Sequence, residues 1–143
     1  MANRFLLYWL PLLIWISGIF LVSSLPGNSF PSEFSILTEY PLHITAFFVL
    51  FLLFYRLLHS NNKKVTLKNI LLLSLIMTMI VSFIKEAYQL LMPTRSFSLK
   101  DILVDGGATT LAMLFVTIRA YRFPLKELLA KELFMLDRNS KNL

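Results

Sequence analysis

Seven polar or ionisable residues of this 143-residue chain lie near the ends of apolar segments, where they could transfer protons or bind a ligand. They are His43, Glu86, Gln89, Arg95, Ser96, Asp101 and Asp105. Imidazole and carboxyl groups serve as acids and bases, and a guanidinium holds phosphates through paired hydrogen bonds. A charged side chain within a bilayer costs about 2.5–3.5 kcal/mol. So many of them in one region indicate a functional site.

The apolar segments themselves predict a membrane protein. Hydrophobic residues make up 57% of the chain and charged residues 15%, a balance unlike that of soluble domains. Four blocks, residues 5–25, 40–58, 70–92 and 102–118, are each long enough to cross about 30 Å of hydrocarbon as a helix. The first block is too long for a signal peptide, so we interpret it as an uncleaved span. We therefore predict an all-α bundle of four transmembrane helices.

The distribution of basic residues predicts the orientation. All of the 14 lysines and arginines except Lys85, Arg95 and Lys100 lie before the first span, between the second and third, or after the fourth. The positive-inside rule places those segments in the cytoplasm. We predict a multi-pass protein of the cell membrane with both termini cytoplasmic and the polar site extracytoplasmic. The net charge of +6 follows from this topology, so no nucleic-acid partner is expected.

The end of the chain has a different pattern. Leucines recur at spacings of three and four from Leu125 to Leu136, with lysines and glutamates between them. This spacing predicts an amphipathic helix on the cytoplasmic surface, as a membrane anchor or as a partner-binding element. The chain is thus divided into a membrane domain, residues 1–118, and a basic cytoplasmic tail, residues 119–143. It has no cysteine, which excludes disulfides and thiolate metal sites.

The predicted topology brings the polar residues to one side of the membrane, where the second and fourth spans begin and the third ends. Pro41 suits the first turn of the second helix, which would place His43 near the surface. Glu86 shares a helix face with the residue three positions on, Gln89, and two aspartates four apart share a face of the fourth helix. We expect these side chains to converge in one cavity.

Each residue also has a structural interpretation. Ser98 and Asp101 have the spacing of a helix cap and an acid in the first turn. Glu86 could pair with Lys85 or Arg95, and buried polar pairs also hold membrane helices together. The presence of the acids, the amide and the histidine in one region favours a functional site over a purely structural role in helix packing.

The same residues carry a resemblance. The pattern consists of Leu42-His43, Glu86-x-x-Gln89 and Pro93-x-Arg95-Ser96-Phe97-Ser98-x-x-Asp101. It resembles the VanZ-like family over residues 5–118. The resemblance implies a membrane protein associated with low-level resistance to the glycopeptide teicoplanin, and it names no reaction. The family commonly has asparagine at the position of Asp105, where a second acid could strengthen a metal site or a proton relay.

One hypothesis is a membrane-embedded hydrolase or transferase acting on a lipid or lipid-linked head group. His43 would be the general base, oriented by Asp101 or Asp105, and Glu86 the general acid. The residues expected to bind substrate are Gln89, Arg95, Ser96 and Lys100. A divalent metal is a variant of this hypothesis. Its candidate ligands are His43, Glu86, Asp101 and Asp105.

Two other functions use the same residues differently. A non-catalytic protein could bind or shield a lipid or a glycopeptide through the same pocket. A transporter is disfavoured, because its polar residues would have to continue through the middle of the membrane. There the third span offers only Ser74, Thr78 and Ser82.

Overall fold

The structure is a computed structural model that describes residues 5–25, 35–61, 65–92 and 95–140. Side chains are described for residues 6–25, 40–60, 65–92 and 95–122. Within these ranges the chain forms helices with a few turn residues at their ends, and no strand occurs. The chain divides into two compact units, Met1–Met113 and Leu114–Leu143.

The first unit contains three complete helices and the start of a fourth. A π-helical turn, Phe5–Trp9, leads into α1, Leu10–Ser23. The next two helices are α2, Ser35–Asn61, and α3, Leu67–Gln89. The last helix, α4, extends over Leu99–Ser140, and its residues from Leu114 onward form the described part of the second unit.

Four stretches are long and apolar enough to cross a membrane, with mean hydropathy between 1.5 and 2.1. They are Leu6–Ser23, Tyr40–Ser60, Leu67–Gln89 and Leu99–Arg122. The prediction of an all-helical chain with four potential spans is therefore confirmed for the described residues. The side of the membrane that each terminus faces, the amphipathic tail helix and the domain boundary at residue 118 stay predictions. The side chains of that tail, like the loop at residues 26–34, lie outside the described residues.

Side chains define where α3 and α4 begin. The Thr66 Oγ1 accepts a hydrogen bond from the backbone N–H of Asn69 at 3.4 Å, and the Ser98 Oγ accepts one from Asp101 N–H at 3.2 Å. The Ser98 cap agrees with the prediction from the sequence, and both hydroxyls satisfy an N–H that the helix leaves unpaired.

The start of α2 differs from the prediction. The helix begins at Ser35, so Pro41 lies inside it rather than in its first turn, and His43 lies two turns further along than expected. A proline has a φ angle compatible with a helix and removes a single N–H donor. One missing hydrogen bond near the start of a long helix did not prevent the preceding residues from becoming helical.

α2 packs against α3, and α1 packs against both. The apolar core of this unit is buried and comes mainly from α1 and α2: Leu12, Ile19, Phe47, Leu50, Phe54, Leu57 and Ala108. Two polar contacts align the helices. The indole N–H of Trp15 donates to the Ala46 carbonyl at 2.9 Å, and the Ser24 and Tyr88 hydroxyls lie 3.0 Å apart. The register of α1 against α2 and of α1 against α3 is thereby defined.

The buried face of α3 carries small hydroxyl side chains at every fourth position. Ser74 and Thr78 each donate to the carbonyl four residues earlier in their own helix, both at 2.8 Å. Their polar groups are thus satisfied within α3, and small residues allow close helix packing. Ser82, one turn further along, donates instead to Asp105 of α4 at 2.6 Å. The stripe therefore becomes an interhelical network only near the end of α3.

Candidate functional site

The centre of the site is Lys85, whose side chain is almost entirely buried between helices. Its Nζ atom lies 3.0 Å from Asp105 Oδ2 and 2.9 Å from Glu86 Oε1. The ammonium also lies 5.2 Å from the centre of the Phe47 ring. Both carboxylates are fully buried, and buried charges in proteins require such pairing. Lys85 therefore serves as the counter-ion of two acids on two helices.

Asp105 on α4 contacts three side chains that belong to two other helices, α2 and α3. Its Oδ1 lies 2.9 Å from His43 Nδ1, while its Oδ2 accepts from Ser82 and from Lys85. His43 Nδ1 lies nearer to Asp105 Oδ1, at 2.9 Å, than to Lys85 Nζ, at 3.3 Å. An ionised carboxylate can only accept hydrogen bonds and an ammonium can only donate them, so the shorter contact favours a hydrogen on Nδ1. That tautomer leaves Nε2 as the basic nitrogen of the ring. Of the two aspartates expected to orient His43, the structure places Asp105 in contact with it.

Glu86 has a different environment from Asp105. Its Oε2 accepts a hydrogen bond from the backbone N–H of Ser98 at 3.0 Å, which joins the end of α3 to the start of α4. Its Oε1 makes the ion pair with Lys85, without the alignment of a hydrogen bond. Both oxygens are thus engaged by the protein. Glu86 is not among the residues that line the cavity described below, and its role as the general acid stays a prediction.

His43 and Lys85 form part of the wall of a cavity of about 440 Å³ between α1 and α2. The remaining wall is almost entirely apolar and includes the following residues: Ile14, Trp15, Gly18, Ile19, Val22, Leu42, Ala46 and Phe47. The side chain of His43 is 16% exposed, whereas Asp105 behind it is fully buried. A ligand in the cavity would therefore meet the imidazole and the lysine rather than the carboxylates.

The other predicted residues lie around this network. Gln89 is buried one helical turn beyond Lys85. Arg95 donates from Nε to the Leu25 carbonyl at 3.3 Å, which places it at the end of α1. Ser96 is exposed in the turn that follows α3.

Lys100 is exposed in the first turn of α4, and Asp101 beside it is half-buried. The backbone N–H of Asp101 donates a hydrogen bond to Ser98 Oγ, as predicted for an acid in the first turn of a helix that Ser98 caps. The structure therefore joins three of the four candidate catalytic residues through Lys85. Asp101 lies one turn nearer the start of α4 than Asp105.

The four candidate metal ligands do not combine into a metal centre. Within the described residues, no group of three or more histidine, aspartate or glutamate side chains is arranged to hold a metal ion. The position between Asp105 and Glu86, where a cation would be favoured, is taken by the ammonium of Lys85.

Two residues of the network were not among the predicted site residues. Lys85 was considered only as a partner for Glu86, and Ser82 only as part of a weak polar stripe. The signal for Lys85 is its place within an apolar span, where an ammonium needs a protein partner. Ser82 and Lys85 are three apart and share a helix face, which points to a common partner on another helix.

Comparison with known proteins finds no matching family model, no matching curated protein and no matching solved structure. The resemblance to the VanZ-like family stays a prediction that is carried by the residues quoted above.

Proposed function

We propose that this chain is a small integral membrane protein that acts on, or binds, a lipid or lipid-linked cell-envelope molecule at the outer leaflet. The observation that supports this function is His43, which lies in the wall of an apolar cavity between two helices of spanning length and is 2.9 Å from the buried Asp105 behind it. A proton-transfer group beside an apolar cavity suits a ligand that has both a reactive polar group and a hydrocarbon part.

In the catalytic form of this proposal, His43 is the general base. Asp105 holds the imidazole by its Nδ1 hydrogen, so Nε2 can take a proton from water or from a lipid hydroxyl. The oxygen thus activated attacks the lipid linkage that lies at the depth of His43, and as that bond breaks the imidazolium returns the proton to the departing oxygen. Lys85 and Ser82 keep Asp105 in the position that this step requires. The activity is that of a hydrolase or a transferase.

Arg95 lies where a head group would be expected. Its side chain contacts the Leu25 carbonyl, just beyond the end of α1. If the predicted topology holds, this end of the helix faces the extracytoplasmic surface, and a guanidinium there suits a lipid phosphate. Ser96 and Lys100, both exposed, would lie at the same surface.

A binding protein without catalysis is the second candidate. The observation that favours it is the pairing of both buried carboxylates with Lys85, which leaves both acids engaged by the protein rather than by a ligand. Such a protein could shield a lipid-linked precursor from a glycopeptide, as the resemblance to the VanZ-like family would imply. Teicoplanin susceptibility is therefore a second readout beside lipid composition.

The test compares the membrane lipids of cells with and without the protein by mass spectrometry. We expect the protein to change the amount of at least one lipid or lipid-linked species, and His43→Ala to abolish that change. The matched control is His59→Ala, because His59 is exposed and stacks on Tyr55 in the part of α2 far from the cavity.

A catalytic role requires that purified His43→Ala unfolds in detergent at the same temperature as the parent protein. If His43→Ala retains the full lipid change, or loses it only by unfolding, the enzyme proposal fails. If the variants alter teicoplanin susceptibility while no lipid species changes, the binding role replaces it.

A further inference from the structure

We infer that the cavity between α1 and α2 holds an acyl chain of a membrane lipid, with an uncharged ester linkage level with His43. This inference rests on the proposed function and names the ligand class of the same site. It follows from the lining of the cavity, its size, the space beside Gly18 and the charges behind its polar wall.

The lining selects a hydrocarbon ligand that comes from the membrane. Ile14 and Val22 of α1 and Leu42 of α2 are 62%, 51% and 51% exposed, yet they border the cavity. Both helices are long and apolar enough to cross a bilayer, so these surfaces meet lipid chains once the helices are inserted. An acyl chain can therefore enter sideways between α1 and α2 without passing through water.

The dimensions fit an acyl chain whose ester lies partway along the cavity. The cavity volume of about 440 Å³ lies within the range of about 300–1,000 Å³ that is usual for small-molecule sites. Its α1 wall runs from Ile14 to Ser23, which at about 1.5 Å per residue is about 13.5 Å. Gly18, at the depth of His43, is four residues from Ile14, so about 6 Å of this wall lies on the inner side of the ester. The rest of the acyl chain would continue between the spans toward the middle of the bilayer, where half of the hydrocarbon core is about 15 Å thick.

Gly18 leaves space on the cavity side of α1. A Cβ atom added at Gly18 would have no heavy atom of a neighbouring element within 4 Å, although the residue borders the cavity. The Trp15–Ala46 hydrogen bond joins two antiparallel helices, and Gly18 and His43 each lie three residues from it toward the same end. They are therefore at similar depth, with open space beside the imidazole.

The charges decide which part of a lipid reaches that depth. Behind the wall, the ammonium of Lys85 pairs with two carboxylates, those of Asp105 and Glu86. With a neutral His43, the cluster therefore carries a net charge of minus one. An anionic phosphate beside this cluster would add a further uncompensated negative charge in an apolar setting. An uncharged ester is compatible with it. The phosphate of the same lipid would lie beyond the end of α1, near Arg95.

The test uses Trp15, which lies in the cavity wall, as a fluorescent reporter. Trp9→Phe removes the other tryptophan of the chain. The purified single-tryptophan protein in detergent micelles is titrated with phosphatidylglycerol that carries bromine on one acyl chain, because bromine quenches indole fluorescence on contact. We expect saturable quenching at a low mole fraction of the lipid.

Gly18→Leu, made in this background, should fill the cavity and raise the lipid fraction for half-quenching at least tenfold, with Gly18→Ala between it and the parent. Gly107→Leu is the matched control, since a Cβ at this helical glycine also meets no neighbour and Gly107 does not border the cavity. It should leave the titration unchanged. Equal quenching in Gly18→Leu and its parent, or quenching that rises without saturation, would overturn the inference.

A brominated fatty acid, which carries a carboxylate instead of an ester, tests the charge argument. We expect it to quench at least tenfold more weakly than the ester lipid, and equal quenching would refute the ester assignment. Failure of the inference is distinguishable from failure of the proposed function. Saturable quenching with an unchanged lipid profile would leave a lipid site without the activity, whereas a His43-dependent lipid change without quenching would leave the activity with a different ligand.

Discussion

Removal of the Lys85 ammonium is the perturbation with the largest effect that the structure predicts. Lys85→Met keeps most of the side-chain volume and leaves Asp105 and Glu86 without a counter-ion. Two charges 3.0 Å apart interact by about 5 kcal/mol at an effective dielectric constant of about 20. Loss of one partner from a buried pair costs about 3–5 kcal/mol. Because the ammonium serves two acids, we expect a loss near the upper value, about 5 kcal/mol.

A second substitution tests whether charge is the cause. Asp105→Asn leaves Lys85 paired with Glu86, so the charges balance, and the expected loss is about 1–3 kcal/mol from weakened hydrogen bonds. In the double variant Lys85→Met/Asp105→Asn, one unpaired carboxylate remains instead of two. We therefore expect the double variant to be no less stable than Lys85→Met alone. If the two substitutions acted independently, their losses of stability would add and the double variant would be the less stable of the two.

The measurement is the free energy of unfolding from a titration of sodium dodecyl sulfate into detergent micelles of the purified protein. Lys68→Met is the matched control, since Lys68 is an exposed lysine on the same helix, and it should change the stability by less than about 0.5 kcal/mol. The reasoning is refuted if Lys85→Met is as stable as the control, or if the losses of the two single variants add in the double variant.

Two further predictions concern the hydroxyl stripe and the topology. In the same titration, Ser82→Ala should lower the free energy of unfolding by about 1–3 kcal/mol, because it removes a hydrogen-bond donor from the buried carboxylate of Asp105. Ser74→Ala should lower it by less, because the Ser74 hydroxyl bonds a carbonyl of its own helix. Equal losses would show that Ser82 does not support Asp105. Cysteines introduced separately at Asn28 and Asn61 should react with an impermeant thiol reagent from opposite sides of the membrane, and labelling from one side would contradict four spans and the outer-leaflet site with them.

The sequence by itself predicted the membrane class, the four potential spans and the Ser98 cap of α4. These features depend on local properties. Span length follows from consecutive apolar residues, and a cap from a hydroxyl beside the N–H groups that a helix leaves unpaired. It also predicted that His43, Glu86, Gln89 and both aspartates would converge in one cavity, because helical spacing places residues on common faces. The contacts in the structure link His43, Glu86 and Asp105.

Only the tertiary structure decided how these residues are connected. Asp101 and Asp105 share a helix face but differ in depth by about 6 Å, and spacing does not say which of them meets His43. That choice depends on the sliding and rotation of whole helices, which packing contacts such as Trp15 with Ala46 define. The same contacts turn Lys85 toward both acids and leave Glu86 engaged with Ser98 rather than with the cavity.

The cavity between α1 and α2 was also beyond prediction from the sequence. The space beside Gly18 depends on where α1 and α2 contact each other along their length. The local sequence of either helix does not determine that contact. His43 and Asp105 were predicted from the sequence, whereas Lys85 and Ser82, which contact Asp105, were not among the predicted site residues. Their pairing, and the cavity that would bring them a ligand, depend on contacts between helices that are distant in the chain.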